Sequence, residues 1–165
     1  MALYNSDQLD IVSEKIRNVQ FGMFTTMDDM RILTSRPMTK QQIDGDGNLW
    51  FFTTDEAPFV RDLLNNPSVN VSFSEMDNGL YVSLSGRAEL LRDRGKAQQL
   101  WNPMLKPWFP GGLDDPHLAL IRVTIESAEY WDAHRGKMMQ LLELAKAAIS
   151  GERPKDLAEH GTIRL

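Results

Sequence analysis

A chain of 165 residues, 42% hydrophobic and 25% charged, fills one ordinary domain and lies far from the low-hydrophobicity, high-charge composition of disorder. A formal charge of −5 disfavours a general nucleic-acid or anionic-membrane surface, which needs clustered positive charge, but leaves local anion sites open. The absence of cysteine excludes disulfides, thiolate chemistry, iron–sulfur clusters and cysteine-rich zinc sites, so any redox function needs a bound cofactor.

Residues 6–18 carry Leu9, Val12 and Ile16, followed by Val19, at helical spacing behind Ser6 as a cap, which predicts an amphipathic helix. The start "MALYNSDQLDIV" has neither a basic region nor a hydrophobic signal core, and no run of about 18 apolar residues follows; a cytoplasmic location is the expectation. Residues 21–28 and 30–38 read as two strands of a hairpin turning at Asp28-Asp29. "DGDGN", from Asp44 to Asn48, is a tight-turn signal, and "LWFFTT" starts the next strand. Pro58 opens a short helix with Phe59, Leu63 and Val60, Leu64 at helical spacing, and Pro67 stops it.

Residues 68–74 alternate Val69, Val71 and Phe73 with polar residues, the pattern of a strand with one buried face. After a turn at Asp77-Asn78-Gly79, residues 80–91 form another strand with a kink or bulge expected at Gly86. Residues 93–105 predict a helix capped by Asp93 that runs into the loop "KPWFPGGLDDP". Residues 118–133 supply one or two final strands, and residues 137–150 a helix with Met138, Leu141, Leu142, Ala145 and Ile149 on a broad stripe, packed on the barrel or a partner. Residues 1–150 are expected to form a single domain that includes this helix, with residues 151–165 a polar tail. Six strands joined mostly by turns point to a mainly β protein, an antiparallel barrel or sandwich decorated by helices.

Candidate chemistry concentrates in "MRILTSRPMTKQQIDGDGNLWFFTT". Thr34, Ser35 and Arg36 at a strand end offer hydroxyls and a guanidinium fork, which suit a phosphate, while an arginine in solvent is the plain alternative. Period two places Ile32, Thr34 and Arg36 on one face and Arg31, Leu33 and Ser35 on the other. The "LWFF" run is more often a strand buried on both faces than a cofactor wall, and by itself does not decide between them. His117, His134 and His160 are too scattered for a metal site, so none is expected. Asp114-Asp115 looks like a capping element, and Trp101, Trp108 and Phe109 like core or interface anchors, or the cover of a ligand.

The ordered set "RILTSRPM", "DGDGNLWFFTT", "RDLLNNPSVNVSFS", "VSLSGRAELLRD" and "AEYWDA", with the "WFPGGLDDP" loop, resembles the pyridoxamine 5'-phosphate oxidase-like flavin proteins, in particular the general stress protein 26 branch. The resemblance implies an antiparallel split β-barrel with N-terminal, connecting and C-terminal helices that forms a homodimer and holds FMN, or sometimes FAD, between its subunits. Carried over by position, it implies cofactor contacts from Arg31, Leu33, Thr34, Ser35 and Arg36, from Phe52, Thr53 and Thr54, and from Tyr81 and Trp131. Where the family usually has a basic residue near the flavin phosphate, this chain has "EAPFV", with Pro58 and Phe59 in place. Loss of one charge-assisted contact costs about 1.5–3 kcal/mol, roughly one to two decades of affinity. Lys40, Arg61 or a partner-subunit arginine are candidates to compensate.

The implied function is flavin-dependent oxidoreduction on an unknown substrate. The alternatives are a non-catalytic flavin-binding or sequestering stress protein and a cofactor-free interaction module, with haem handling last because no histidine is placed as an axial ligand. The segment with which a pyridoxamine phosphate oxidase proper grips its substrate is not matched by the tail "GERPKDLAEHGTIRL".

Overall fold

The computed structural model describes residues 6–133, 144–146, 148–151 and 159–164. Helix α1 (Ser6–Lys15) buries Leu9 and Val12 and leads into the buried Ile16 and Val19, as the spacing predicts. It ends three residues short of the expected boundary, where Arg17 N donates to Glu14 O and Val19 N to Ile16 O in tighter turns. The Ser6 side chain, read as a cap, lies outside the described residues.

Among the described residues seven strands follow: β1 (Phe21–Met27), β2 (Leu33–Ile43), β3 (Asn48–Thr54), β4 (Ser68–Glu75), β5 (Leu80–Leu91), β6 (Leu118–Asp132) and β7 (Glu159–Arg164). All pair antiparallel in the order β3-β2-β1-β4-β5-β6-β7, and β3 also pairs with β6. That extra pairing closes six strands into the split β-barrel. Residues 118–132 form one strand long enough to serve two neighbours: its first half closes on β3 and its second half carries β7. Between Ser85 and Gly86 the register slips, so that Ser85 faces Ser127 and Gly86 faces Ile125, which is the bulge expected at this glycine.

Two apolar cores form because β3 is buried on both faces. Leu49 and Phe51 point into the barrel, where Phe24, Val71, Leu84 and Ile121 meet them under α1 and helix α2 (Pro58–Asn65). Trp50 and Phe52 point outward, into a smaller core with Ala97, Phe109 and Leu120. Helix α3 (Arg94–Leu100) supplies Ala97 and is capped by Asp93, whose carboxylate accepts from Lys96 N at 2.9 Å. It is shorter than expected because Pro103 forces Asn102 to be extended (φ −138°, ψ 154°), leaving only a 3₁₀ turn at Pro103–Leu105.

The polar tail is not all tail. Residues 159–164 form β7, whose Ile163 joins the barrel core while His160, Thr162 and Arg164 face out. Gly161 makes this possible: a Cβ there would sit 2.2 Å from the Tyr130 ring. Gly161→Ala is therefore expected to cost about 1–3 kcal/mol and to lower Tm by about 5 °C, read by thermal melting. Most of the helix expected at residues 137–150, including Met138, Leu141 and Leu142, lies outside the described residues. The helical residues 144–146 and 148–150, among them Ala145 and Ile149, are exposed.

The "DGDGN" turn holds through one carboxylate. Asp44 accepts from Trp50 Nε1 (2.8 Å), Asn48 N (2.9 Å), Asn48 Nδ2 (3.2 Å) and Asp46 N (3.1 Å), while Gly47 takes φ +79°. Burial alone would raise this carboxyl, but the hydrogen bonds outweigh it and hold Asp44 below its ordinary value. A carboxyl depressed on folding contributes stability present above its unfolded pKa of about 3.9 and lost as pH falls through the folded one. Asp44→Asn is expected to lower Tm at neutral pH, with the gap to the parent closing below about pH 3 in melts run across the acid range.

Candidate functional site

A cavity of about 480 Å³ opens between β2, the end of β3, the start of α2 and the loop of residues 103–117. Arg36, Met38, Phe52, Thr53 and Thr54 line its strand side, with Phe59 from α2. Trp108 and Phe109 close it from the loop. Among the described residues Arg36 is the one charged side chain in the lining.

Arg36 is held before any ligand arrives. Strand periodicity sets Thr34 and Arg36 on one face of β2, and antiparallel pairing sets Thr26 of β1 opposite Thr34. Arg36 Nη1 donates to Thr26 Oγ1 at 3.0 Å, and Nη2 donates to Thr34 Oγ1 at 2.7 Å and Thr34 O at 3.0 Å. Its guanidinium carbon stands 4.5 Å from the centre of the Phe59 ring, which in turn packs on Phe24 of the barrel core (6.1 Å, 52°). Burial pulls the Arg36 pKa below its ordinary value and the nearby Asp62 carboxylate pushes it back. The group stays cationic at physiological pH. A fixed cation ringed by hydroxyls beside aromatic walls is the donor set for an anion joined to a flat ring.

The C-terminal end of the loop, residues 114–117, is tied to the end of β3, to the segment between β5 and α3 and to the start of α3. Asp55, directly after Thr54, accepts from Arg92 Nη2 and lies 3.0 Å from His117 Nδ1. Arg92 Nη1 also donates to Pro116 O at 2.8 Å, and His117 N donates to Asp115 Oδ1 at 3.0 Å. Asp114 pairs with Arg94 at 2.8 Å. Phe109 is buried against Phe52 (6.3 Å), and Trp101 meets Phe52 edge-on at 5.9 Å, whereas Trp108 is 74% exposed.

Of the residues the sequence singles out, Arg36, Phe52, Thr53 and Thr54 line the cavity, and Thr34 reaches it through Arg36. Ser35 faces the other side, with its hydroxyl 2.7 Å from Thr25 Oγ1. Arg31 is not in the strand: it sits in the β1–β2 turn at φ +64°, so it leaves the alternation that would place it beside Leu33 and Ser35. Asp28 imposes this turn by accepting from Met30 N (2.9 Å) and Ile32 N (2.8 Å). Leu33 opens β2 exposed.

Tyr81 and Trp131 pair across β5 and β6, exposed on the outer face, with His160 stacked on Trp131 (5.1 Å, 19°). Strand β5 lies three places from β2, roughly 15 Å away, so within one protomer these two do not meet the cavity. Lys40 is spent elsewhere: its Nζ donates to Ile16 O at the end of α1. Arg61 is exposed and outside the lining. His134 lies outside the described residues. Sequence reasoning missed Thr26, whose place opposite Thr34 follows from the hairpin register, and Met38, two residues past Arg36.

The chain is a six-stranded antiparallel split barrel with an arginine held by two threonines at the edge of a cavity. A profile described as pyridoxamine 5'-phosphate oxidase like matches residues 7–155, and the chain belongs to that family. It is similar to the crystal structure of a candidate general stress protein 26 from Jannaschia sp. CCS1, 28% identical, with 97% of this chain and 99% of that chain covered and a TM-score of 0.76. It is also similar to the general stress FMN/FAD binding protein of Xanthomonas citri, 30% identical over 78% of this chain and 90% of that one, TM-score 0.66. Among curated proteins it is 29% identical to Protein bli-3 of Neurospora crassa, covering 88% of this chain and 74% of that protein.

Proposed function

We propose that the chain binds a flavin in this groove and acts as a flavin-dependent oxidoreductase. The observation that carries the reading is Arg36, preset by Thr26 and Thr34 at the edge of an aromatic cavity. The FMN/FAD-binding relative, 30% identical, supports it. The residues fit the group: Arg36, Thr34, Thr53 and Thr54 suit its phosphate, and Phe52, Phe59 and Phe109 suit contact with apolar or planar parts. A bound flavin supplies hydride or electron transfer from its ring. The chain's own part is to hold the phosphate, shut water from one side through the pinned loop, and leave the other side open. No groove side chain is required as acid or base.

The homodimer implied by the resemblance belongs to this proposal. The outer sheet face exposes Phe21, Met23, Leu33, Tyr81 and Trp131 around a row of small polar residues, Ser35, Thr25, Asn70, Ser85 and Ser127, in register across five strands. A second copy on this face is how Tyr81 and Trp131 would reach a neighbour's groove.

Phe59 favours a second reading, a flavin-binding or sequestering protein without turnover, because it puts an apolar ring where a phosphate-binding cation is expected. One experiment tests both: titrate the purified protein with flavins by absorbance and fluorescence, then add reduced nicotinamide and an acceptor. Binding with turnover supports the oxidoreductase, binding without turnover the second reading, and no binding removes both.

A further inference from the structure

We propose that His160 is a positioning residue: by stacking on Trp131 it holds that indole away from Tyr81. The slot so kept open between the two aromatic rings takes a planar ring, that of a flavin held in a neighbouring copy's groove. This rests on the flavin and second-copy readings above.

Tyr81 of β5, Trp131 of β6 and His160 of β7 stand in register across adjacent strands, all exposed on the outer sheet face. Side chains on neighbouring strands stand side by side, and aromatic residues directly opposite one another attract, so Tyr81 and Trp131 would close ring on ring if nothing else were offered. Trp131 instead takes the imidazole. The His160 ring stacks on it at 5.1 Å and 19°, whereas Tyr81 stacks on no ring among the described residues. His160 therefore covers the β7 side of the indole and leaves the side towards Tyr81 without a stacked ring.

The register of β7 sets His160 in that place. Any side chain at the position of Gly161 would put its Cβ 2.2 Å from the Tyr130 ring, so a slip of one residue, which would also turn His160 inward, is blocked. Ile163 holds the strand from the core side. Yet β7 is not needed to close the barrel. On the same strand β3 takes Leu118–Thr124 and β7 takes Ser127–Asp132, and the β3 pairing alone completes the ring of strands. What β7 brings to the outer face beside Trp131 is the imidazole. Two exposed rings held apart on one sheet face suit a planar aromatic group, and an indole already oriented in the free protein has less freedom to lose when that group arrives.

The test joins binding to NMR on the full chain. Flavin affinity is read by fluorescence titration of the parent, His160→Ala, His160→Phe and Thr162→Ala, and contact between the Tyr81 and Trp131 rings by NOE in the ligand-free proteins. His160→Ala is expected to weaken flavin binding about three- to tenfold, the scale of one aromatic contact, and to bring the two rings together. His160→Phe keeps a stacking ring and is expected to hold affinity within about twofold, with the rings apart. Thr162→Ala, on the same exposed row of β7, is expected to change neither reading. Unchanged affinity in His160→Ala, an equal loss in Thr162→Ala, or a loss with no new contact between Tyr81 and Trp131 overturns the positioning role and leaves the flavin reading standing. If the parent binds no flavin, the flavin reading falls and the positioning role with it.

Discussion

Arg36→Ala is expected to weaken flavin binding by tenfold or more, while leaving the barrel folded. The side chain makes the only charged contact the described groove lining can offer a phosphate, and a hydrogen bond to a charged group contributes about 1.5–3 kcal/mol. Tenfold corresponds to about 1.4 kcal/mol. Some of the loss is structural, because the fully buried Thr26 hydroxyl loses its guanidinium donor and Phe59 loses the cation over its ring. Arg36→Lys separates the two effects. It keeps the charge but not the fork that spans Thr26 and Thr34, so an intermediate affinity is expected. Equal affinity in all three proteins, with unchanged melting temperatures, would take the phosphate anchor away from Arg36.

The barrel was legible wherever a local pattern also decides the long-range partner. Val69, Val71 and Phe73 alternate, and the same alternation sets β4 between β1 and β5. The turns at Asp44–Asn48 and Gly79 are written in residues that tolerate the backbone angles required. Three features were not legible. Residues 159–164 hold one large apolar side chain, Ile163, and their place beside β6 depends on Gly161 leaving room for the Tyr130 ring, a contact no local pattern encodes. Strand β2 runs on to Ile43 through polar residues because β3 lends it a partner, Lys40 facing Phe51 and Gln42 facing Trp50. Arg31 takes a left-handed conformation that its residue type disfavours, imposed by the Asp28 hydrogen bonds around it.

The site divides in the same way. Thr34, Arg36 and the Phe52–Thr54 strand end are close in sequence and share the phosphate-and-ring logic, so reading the residues found them. Phe59 was visible as a departure from the family pattern, but its seat on Arg36 was not. Trp108 could be named as an aromatic anchor, whereas its exposure depends on Phe109 taking the buried place against Phe52.

Gly86→Ala is expected to be the most damaging single methyl in the chain. Gly86 sits at the β5–β6 bulge, and a Cβ there would lie 2.2 Å from the carbonyl oxygen of Thr124 and 3.0 Å from its carbon. The clash is with backbone, so no rotamer change relieves it; the two strands must part at the seam where β6 begins its turn from β3 towards β7. Overpacking costs about 1–3 kcal/mol where side chains yield, and a backbone contact puts this site at the top of that range or above it. The expected fall in Tm is about 10 °C. Gly45→Ala is the control: nothing lies within 4 Å of the place its methyl would take, so it is expected to be neutral or to stabilise by a few tenths of a kcal/mol through the unfolded chain. Paired melts of the two variants decide the matter, because equal, small shifts would mean that the bulge gives way freely and does not fix the path of β6.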